Sequence, residues 1–218
     1  MGIGTTTPSK QLTVGGSVEN IIQNGGIGNV SQIGTVLSSQ SGTVRGSDFI
    51  INGKTAYFIN SLGSGSNTVD VIDISNPATP SILSSFTVGA NASFGAIVKG
   101  KYLYVTNFGS NSISIADISN ASSSTVVATS TLPASSGPYG IFAMGNLVYI
   151  TENTSGKLRI LDVSDPLKPQ TTATITLGGA PSNLAISGNY AYIPIGTTVK
   201  IVDISDPYNP FVVNTISG

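Results

Sequence analysis

Ten acidic side chains hold most of the acid–base chemistry open to this 218-residue chain, which has no histidine and no cysteine. Nucleophilic triads built on an imidazole, and zinc held by histidine or thiolate, are therefore absent. Four of the acids, Asp73, Asp117, Asp162 and Asp203, recur 41–45 residues apart at one position of a repeated phrase. Each stands among apolar residues at the end of a strand-like run, so its expected role is local, accepting hydrogen bonds from turn or neighbouring-blade amides. The chemical alternative is a carboxylate ring around a cation, since calcium takes about 6–8 oxygen ligands. The apolar flanks favour the structural role, and no metal or cofactor is expected. Asp165 and Asp206 precede proline and read as Asx-type turns. Glu19, Asp48, Asp70 and Glu152 remain. A glycosidase needs two carboxylates facing one cleft, and nothing pairs these four. The expectation is a protein that is not an enzyme.

The elements that position these residues are set by the phrase itself, written as YFINSLGSGSNTVDVIDIS (57–75), YVTNFGSNSISIADIS (104–119), YITENTSGKLRILDVS (149–164) and YIPIGTTVKIVDIS (192–205). Its tyrosines, Tyr57, Tyr104, Tyr149 and Tyr192, lie 43–47 residues apart. A period in the forties filled with short strands is the pattern of a β-propeller, one blade per period. The second repeat parses into strands at 94–99, 102–107, 112–118 and 125–132, by apolar runs, period-2 alternation and turn residues. Gly53, Gly100, Gly145 and Gly188 mark the first hairpin turn of each repeat, most plainly in Asn52-Gly53. Prolines after three of the phrases end one strand and stiffen the route to the next. The repeated tyrosines are expected to pack between blades with their hydroxyls near an edge.

Charged residues make up only 9% of the chain and its net charge is −1. Ser, Thr, Asn and Gly must supply the polar surface, a composition common in secreted, virion and cell-surface β-proteins. No Lys/Arg cluster suits a phosphate backbone, so nucleic acid is not an expected partner. No apolar run approaches the ~20 residues of a membrane span, and no signal-peptide pattern opens the chain.

The segment Tyr104-Val105-Thr106-Asn107 followed by GSNSISIADIS resembles the YVTN family of β-propeller repeats. The segments Leu161–Pro166 (LDVSDP) and Ile201–Pro207 (IVDISDP) resemble the related LVIVD repeats. The resemblance covers about residues 46–218 and implies a propeller of a bacterial or archaeal surface protein. It implies little about activity, because propellers host many. Residues 2–16 (GIGTTTPSKQLTVGG) are similar to a segment that recurs in phage tail-fibre and large bacterial surface proteins.

The expected organisation is a Gly/Thr-rich segment at 1–29 and propeller repeats over 30–218. These comprise a leading outer strand at 30–45 and repeats at about 46–91, 92–136, 137–179 and 180–218. Four blades stand at the low end of the usual range of about 4–8. Three solutions would satisfy the ends of the array: N-terminal strands completing a fifth, irregular blade; closure by four blades alone; or insertion of the leading strand into a neighbouring subunit.

Residues that break the repeat are the candidate contact surface: the aromatics Phe108, Tyr139, Phe142 and Tyr208, and Asn111, Glu152 and Asn153 in the loops before the third strand. Exposed rings among Asn and Ser suit a glycan or protein partner. The functional expectation is an extracellular or virion-surface module for display or adhesion. The alternative is a self-assembling filament or surface-layer subunit joined through its N-terminal strand, forming homo-oligomers. A propeller lyase or lactonase ranks third.

Overall fold

A computed structural model describes residues 45–61, 65–91 and 93–217. Every strand in it belongs to one of four four-stranded antiparallel sheets, each built from consecutive strands. The first comprises β1 (Arg45–Asn52), β2 (Thr55–Ser61), β3 (Ser66–Asp73) and β4 (Ser81–Ala90). The second comprises β5 (Ser93–Lys99), β6 (Tyr102–Asn107), β7 (Ser112–Asp117) and β8 (Thr125–Thr131). The third holds β9 (Pro138–Met144), β10 (Leu147–Glu152), β11 (Lys157–Asp162) and β12 (Gln170–Thr176). The fourth holds β13 (Ala185–Ser187), β14 (Tyr190–Ile195), β15 (Thr198–Asp203) and β16 (Phe211–Ser217). Among the described residues, the one short departure from strand and turn is a 3₁₀ turn at Ala121–Ser123.

Local chemistry accounts for the regularity. Gly53, Gly100, Gly145 and Gly188 each take a left-handed φ of 56–62° in the turn between a sheet's first and second strands, where a Cβ would be strained. A register shift recurs at one place in every sheet, at Val71/Ile72, Ile115/Ala116, Ile160/Leu161 and Ile201/Val202. Such bulges add twist to the outer pair of strands. The first strands lie innermost: β1 packs on β5 and β5 on β9, while the outer strands β4 and β8 meet only slightly. The sheets therefore radiate as blades.

Alternation gives each blade two different apolar faces. The tyrosine face of one blade packs on the reverse face of the next. Tyr57, Ile59, Val69 and Val71 meet Leu103, Val105 and Ala116. Tyr104, Ile113 and Ile115 meet Val148, Ile150 and Leu161. Tyr149, Leu158 and Ile160 meet Ala191, Ile193 and Val202. No apolar cluster among the described residues joins the fourth sheet to the first; Ala56, Phe58 and Ile72, on the reverse face of the first, cluster only with residues of their own sheet. Residues 1–44, with the GIGTT segment, Glu19 and nearly all of the leading strand expected at 30–45, lie outside the described residues.

Candidate functional site

One end of the blades gathers the aromatic residues that the repeat does not explain. There the first strand of each blade begins, the second ends, and the β6–β7 type of loop crosses over. Phe94, at the start of β5, stacks on Tyr139 of the neighbouring β9, with centroids 4.5 Å apart and planes inclined by 20°. Phe108, in the β6–β7 loop, meets the Phe94 ring edge-on at 5.3 Å. All three rings are partly exposed. Of the expected contact residues, Phe108 and Tyr139 thus come together, on a third ring that alternation alone places inside a strand. A signal for it exists: Phe94-Gly95 and Tyr139-Gly140 occupy the same repeat position, so Tyr139 does not break the repeat.

The glycines after these aromatics have a steric cause. A Cβ at Gly95 would lie 2.5 Å from the Tyr139 carbonyl oxygen, and one at Gly140 would lie 2.7 Å from Asn183 Cα. Beside each, a threonine hydroxyl ties two blades. Thr106 Oγ1 accepts from Gly95 N at 2.9 Å and donates to the Tyr139 carbonyl at 2.8 Å. Thr151 Oγ1 accepts from Gly140 N at 2.8 Å and donates to the Ser182 carbonyl.

Asn111 and Asn153 act as clamps at the same end. Gly137 N donates to Asn111 Oδ1 at 2.9 Å, and Asn153 Nδ2 donates to the Pro181 carbonyl at 2.9 Å. Each joins one blade to the segment entering the next. Both side chains remain partly exposed, but their polar groups are largely committed to the fold.

Glu152 is not a loop residue. It ends β10, is 1% exposed and pairs with the buried Arg159 Nε. Ser155 Oγ donates to its second carboxylate oxygen at 2.6 Å. The carboxylate cannot meet a partner because both oxygens are engaged inside the blade. Equivalent positions in the first two blades are polar pairs too. Asn60 Nδ2 donates to Asp70 Oδ2 at 2.8 Å, and Asn107 Nδ2 donates to Ser114 Oγ at 2.9 Å. Phe142 is partly buried, with its ring packed against the core between the third and fourth sheets. Tyr208 is 69% exposed, but its β15–β16 turn lies at the opposite end of the blades, away from Phe108 and Tyr139.

The repeated aspartates each accept from the amide two residues on: Ser75 N to Asp73 at 2.8 Å, Ser119 N to Asp117 at 2.9 Å, Ser164 N to Asp162 at 2.7 Å and Ser205 N to Asp203 at 2.8 Å. Bonds from these serines hold all four carboxyls below their ordinary range, Asp117 at about 2 with added help from Lys101 at 3.1 Å. Asp165 and Asp206 make the same bond to Leu167 N and Tyr208 N. Asp48 Oδ2 accepts from Ala96 N of the next blade at 2.9 Å, and burial pushes its carboxyl up. Among the described residues no group of three or more His, Cys, Asp or Glu side chains converges as a metal site.

The repeated tyrosines part from expectation in two ways. Tyr57, Tyr104 and Tyr149 are 0–2% exposed, but Tyr192 is 36% exposed. The Tyr104 and Tyr149 hydroxyls are buried without a partner rather than placed near an edge, and desolvation pushes the Tyr104 hydroxyl up to about 12.

The LVIVD repeat family matches residues 62–88, 95–131, 139–175 and 178–216, one segment per sheet. No curated protein matches the chain. Among solved structures, it is similar to a functionally unknown protein from Desulfotomaculum acetoxidans (13% identity, TM-score 0.70, covering 82% of this chain and 58% of that one). It is also similar to the periplasmic gluconolactonase of Pseudomonas aeruginosa (14% identity, TM-score 0.65, covering 80% and 56%). The computationally designed Ika4 protein shares 14% identity at a TM-score of 0.60, with 79% of this chain covering 98% of it. The first two matches span less than three fifths of their longer counterparts. At these identities the likeness concerns fold.

Proposed function

Because the chain belongs to the LVIVD repeat family, we propose that it is a non-enzymatic β-propeller module of an extracellular or virion surface, serving display or adhesion. One observation carries this reading: the Phe94–Tyr139–Phe108 cluster sits on the blade end that Thr106, Asn111, Thr151 and Asn153 stitch together. Aromatic faces held rigidly lose little entropy on binding. With charged residues at 9%, binding would rest on ring stacking and hydrogen bonds rather than on electrostatic steering. That chemistry suits the C–H faces of a sugar or an uncharged protein patch.

The acids support the same reading. The repeated aspartates hold their own turns, and Glu152 and Asp48 serve blade packing. The gluconolactonase likeness is one of scaffold, and lactone hydrolysis is not the proposed activity.

The test is binding of the full chain to arrayed glycans and surface proteins, beside gluconolactone hydrolysis. The expected outcome is binding that Tyr139→Ala and Phe108→Ala weaken at least ~10-fold, as aromatic anchors do, while Tyr208→Ala leaves it unchanged. Binding indifferent to Tyr139 and Phe108 would remove this surface from consideration. Lactone turnover would overturn the non-enzymatic reading.

A further inference from the structure

Side chains from two neighbouring loops converge on Gly137, in the connection from the second blade into the third. Its N–H donates to Asn111 Oδ1 at 2.9 Å, and its carbonyl accepts from Asn153 N at 2.8 Å. Its φ is a left-handed 57°, and the space above its Cα is taken. A Cβ there would collide with Thr154 Oγ1 and lie 3.0 Å from Phe108 Cε2. Glycine therefore lets the Phe108 ring, the Thr154 hydroxyl and the Asn111 amide meet at one point. Phe108 is held by its edge contact with Phe94, which in turn stacks on Tyr139. Thr154 is exposed, and Phe108 and Asn111 are partly exposed. Among the described residues, the Thr154 hydroxyl and Asn111 Nδ2 take part in no hydrogen bond. The next junction lacks this arrangement. Asn153 stands there in the place of Phe108, and the β14–β15 turn, Gly196 and Thr197 alone, has no counterpart of Thr154.

We propose that this point is the binding site for a pyranose residue of a glycan, with Thr154 and Asn111 as its specificity-determining residues. The assignment rests on the display and adhesion role proposed above and commits its contact surface to one ligand class. A pyranose presents a C–H face, which suits the Phe108 ring. It also presents neighbouring hydroxyls that each donate and accept. The Thr154 hydroxyl can do both, and Asn111 Nδ2 donates. The Gly137 N–H requires the amide oxygen of Asn111 at its own position, which leaves the nitrogen for a ligand. That nitrogen is fixed before binding, so little entropy is lost in using it. An extended peptide suits the site less, because strand addition needs unpaired backbone. The loop backbone here is spent: Asn111 N donates to the Phe108 carbonyl, Leu132 N to the Asn111 carbonyl, and Gly156 N to the Glu152 carbonyl.

The probe is a panel of methyl pyranosides of glucose, galactose, mannose and N-acetylglucosamine, read by saturation-transfer NMR on the full chain. At least one should bind, with saturation reaching its ring C–H protons, and Phe108→Ala should abolish the signal. Thr154→Val keeps the shape of the side chain and removes its hydroxyl. Asn111→Asp keeps an acceptor for Gly137 N and removes the donor. Each should weaken binding about 3–10-fold, the loss of one hydrogen bond, and Thr154→Val should leave the urea midpoint unchanged. Binding by no pyranoside would overturn the proposal. So would binding that Thr154→Val and Asn111→Asp both leave intact. After either result, a surface protein whose binding Tyr139→Ala weakens would leave the display role standing without the sugar. A pyranoside bound equally well by Phe108→Ala would overturn the proposal and remove the aromatic cluster from that role as well.

Discussion

The third and fourth sheets carry the same phrase, the same strand order and the same bulge, but not the same environment. Tyr149 and Tyr192 both pair across the sheet with an isoleucine of the third strand, Ile160 and Ile201. Tyr149 is fully buried, and Tyr192 is 36% exposed. Thr151 reaches the next blade through its hydroxyl, and its counterpart Pro194 has none to offer. The repeat therefore encodes a blade with two adhesive faces, and place in the array decides whether each face is satisfied. This is the nearest-neighbour logic of repeat proteins, in which interfaces between units supply much of the stability.

The comparison breaks most visibly at the tyrosine itself. Tyr149→Ala empties a closed interface and should cost about 3–5 kcal/mol, the range for deleting a buried aromatic. Tyr192→Ala should cost clearly less in the same urea titration. The excess of its cost over the ~0.5 kcal/mol typical of a surface change would measure the contacts that the Tyr192 ring keeps in its half-exposed position. Equal costs would mean that array position is not what separates the two sheets.

The polar pair at the end of the third sheet offers nearly as large an effect. Glu152→Ala strands Arg159 in the interface and should cost about 3–5 kcal/mol. The second blade meets the same position with Asn107 and Ser114. Glu152→Asn together with Arg159→Ser should therefore recover most of that loss, since a satisfied neutral pair replaces a charged one. Failure of the double variant would show that the interfaces are individually fitted rather than interchangeable.

Close approach of the inner strands gives a middle-sized contrast. Gly140→Ala drives a Cβ to within 2.7 Å of Asn183 Cα and should cost about 1–3 kcal/mol by overpacking. Asn183 holds the equivalent place in the fourth sheet, is exposed, and should tolerate alanine within about 0.5 kcal/mol. In the opposite direction, Tyr149→Phe removes a buried hydroxyl without a partner. It should raise stability by about 1 kcal/mol, seen as a higher denaturation midpoint.

Most of the fold was legible because the repeat states it four times over. Strand positions came from alternation and from the turn glycines, and the aspartates' local role from their place at the strand ends. The site was less legible, since its residues depend on contacts between repeats. Glu152 reads as a loop residue because a charge interrupts an apolar strand. Its partner Arg159 lies diagonally across the β10–β11 pair, beside the directly opposite Lys157, a neighbour relation that only register reveals. Phe94 reads as strand for the same reason: nothing local says that β9 brings Tyr139 over it. Tyr192 could not be told from Tyr149, because the two differ only in the neighbouring blade packed against them.

The smallest expected effect distinguishes two turns by acid. Asp117 and Asp162 cap equivalent turns, but Lys101 adds an ion pair to Asp117 alone. Both carboxyls titrate below the ordinary value of 3.8, Asp117 at about 2. A folded-state pKa below the unfolded one contributes stability that is complete above the unfolded value and is lost as pH falls through the folded one. The contribution of Asp117 should thus be whole above about pH 4 and fade toward pH 2. Asp117→Asn should flatten the acid limb of the urea midpoint between those values more than Asp162→Asn does. It should leave the midpoint's further change above about pH 5 parallel to that of the unmodified chain. Added salt should narrow the difference between the two variants, because the Lys101 side chain is largely exposed and its pair with Asp117 is open to screening. If the difference persists at high salt, the serine hydrogen bonds rather than the lysine set the two turns apart.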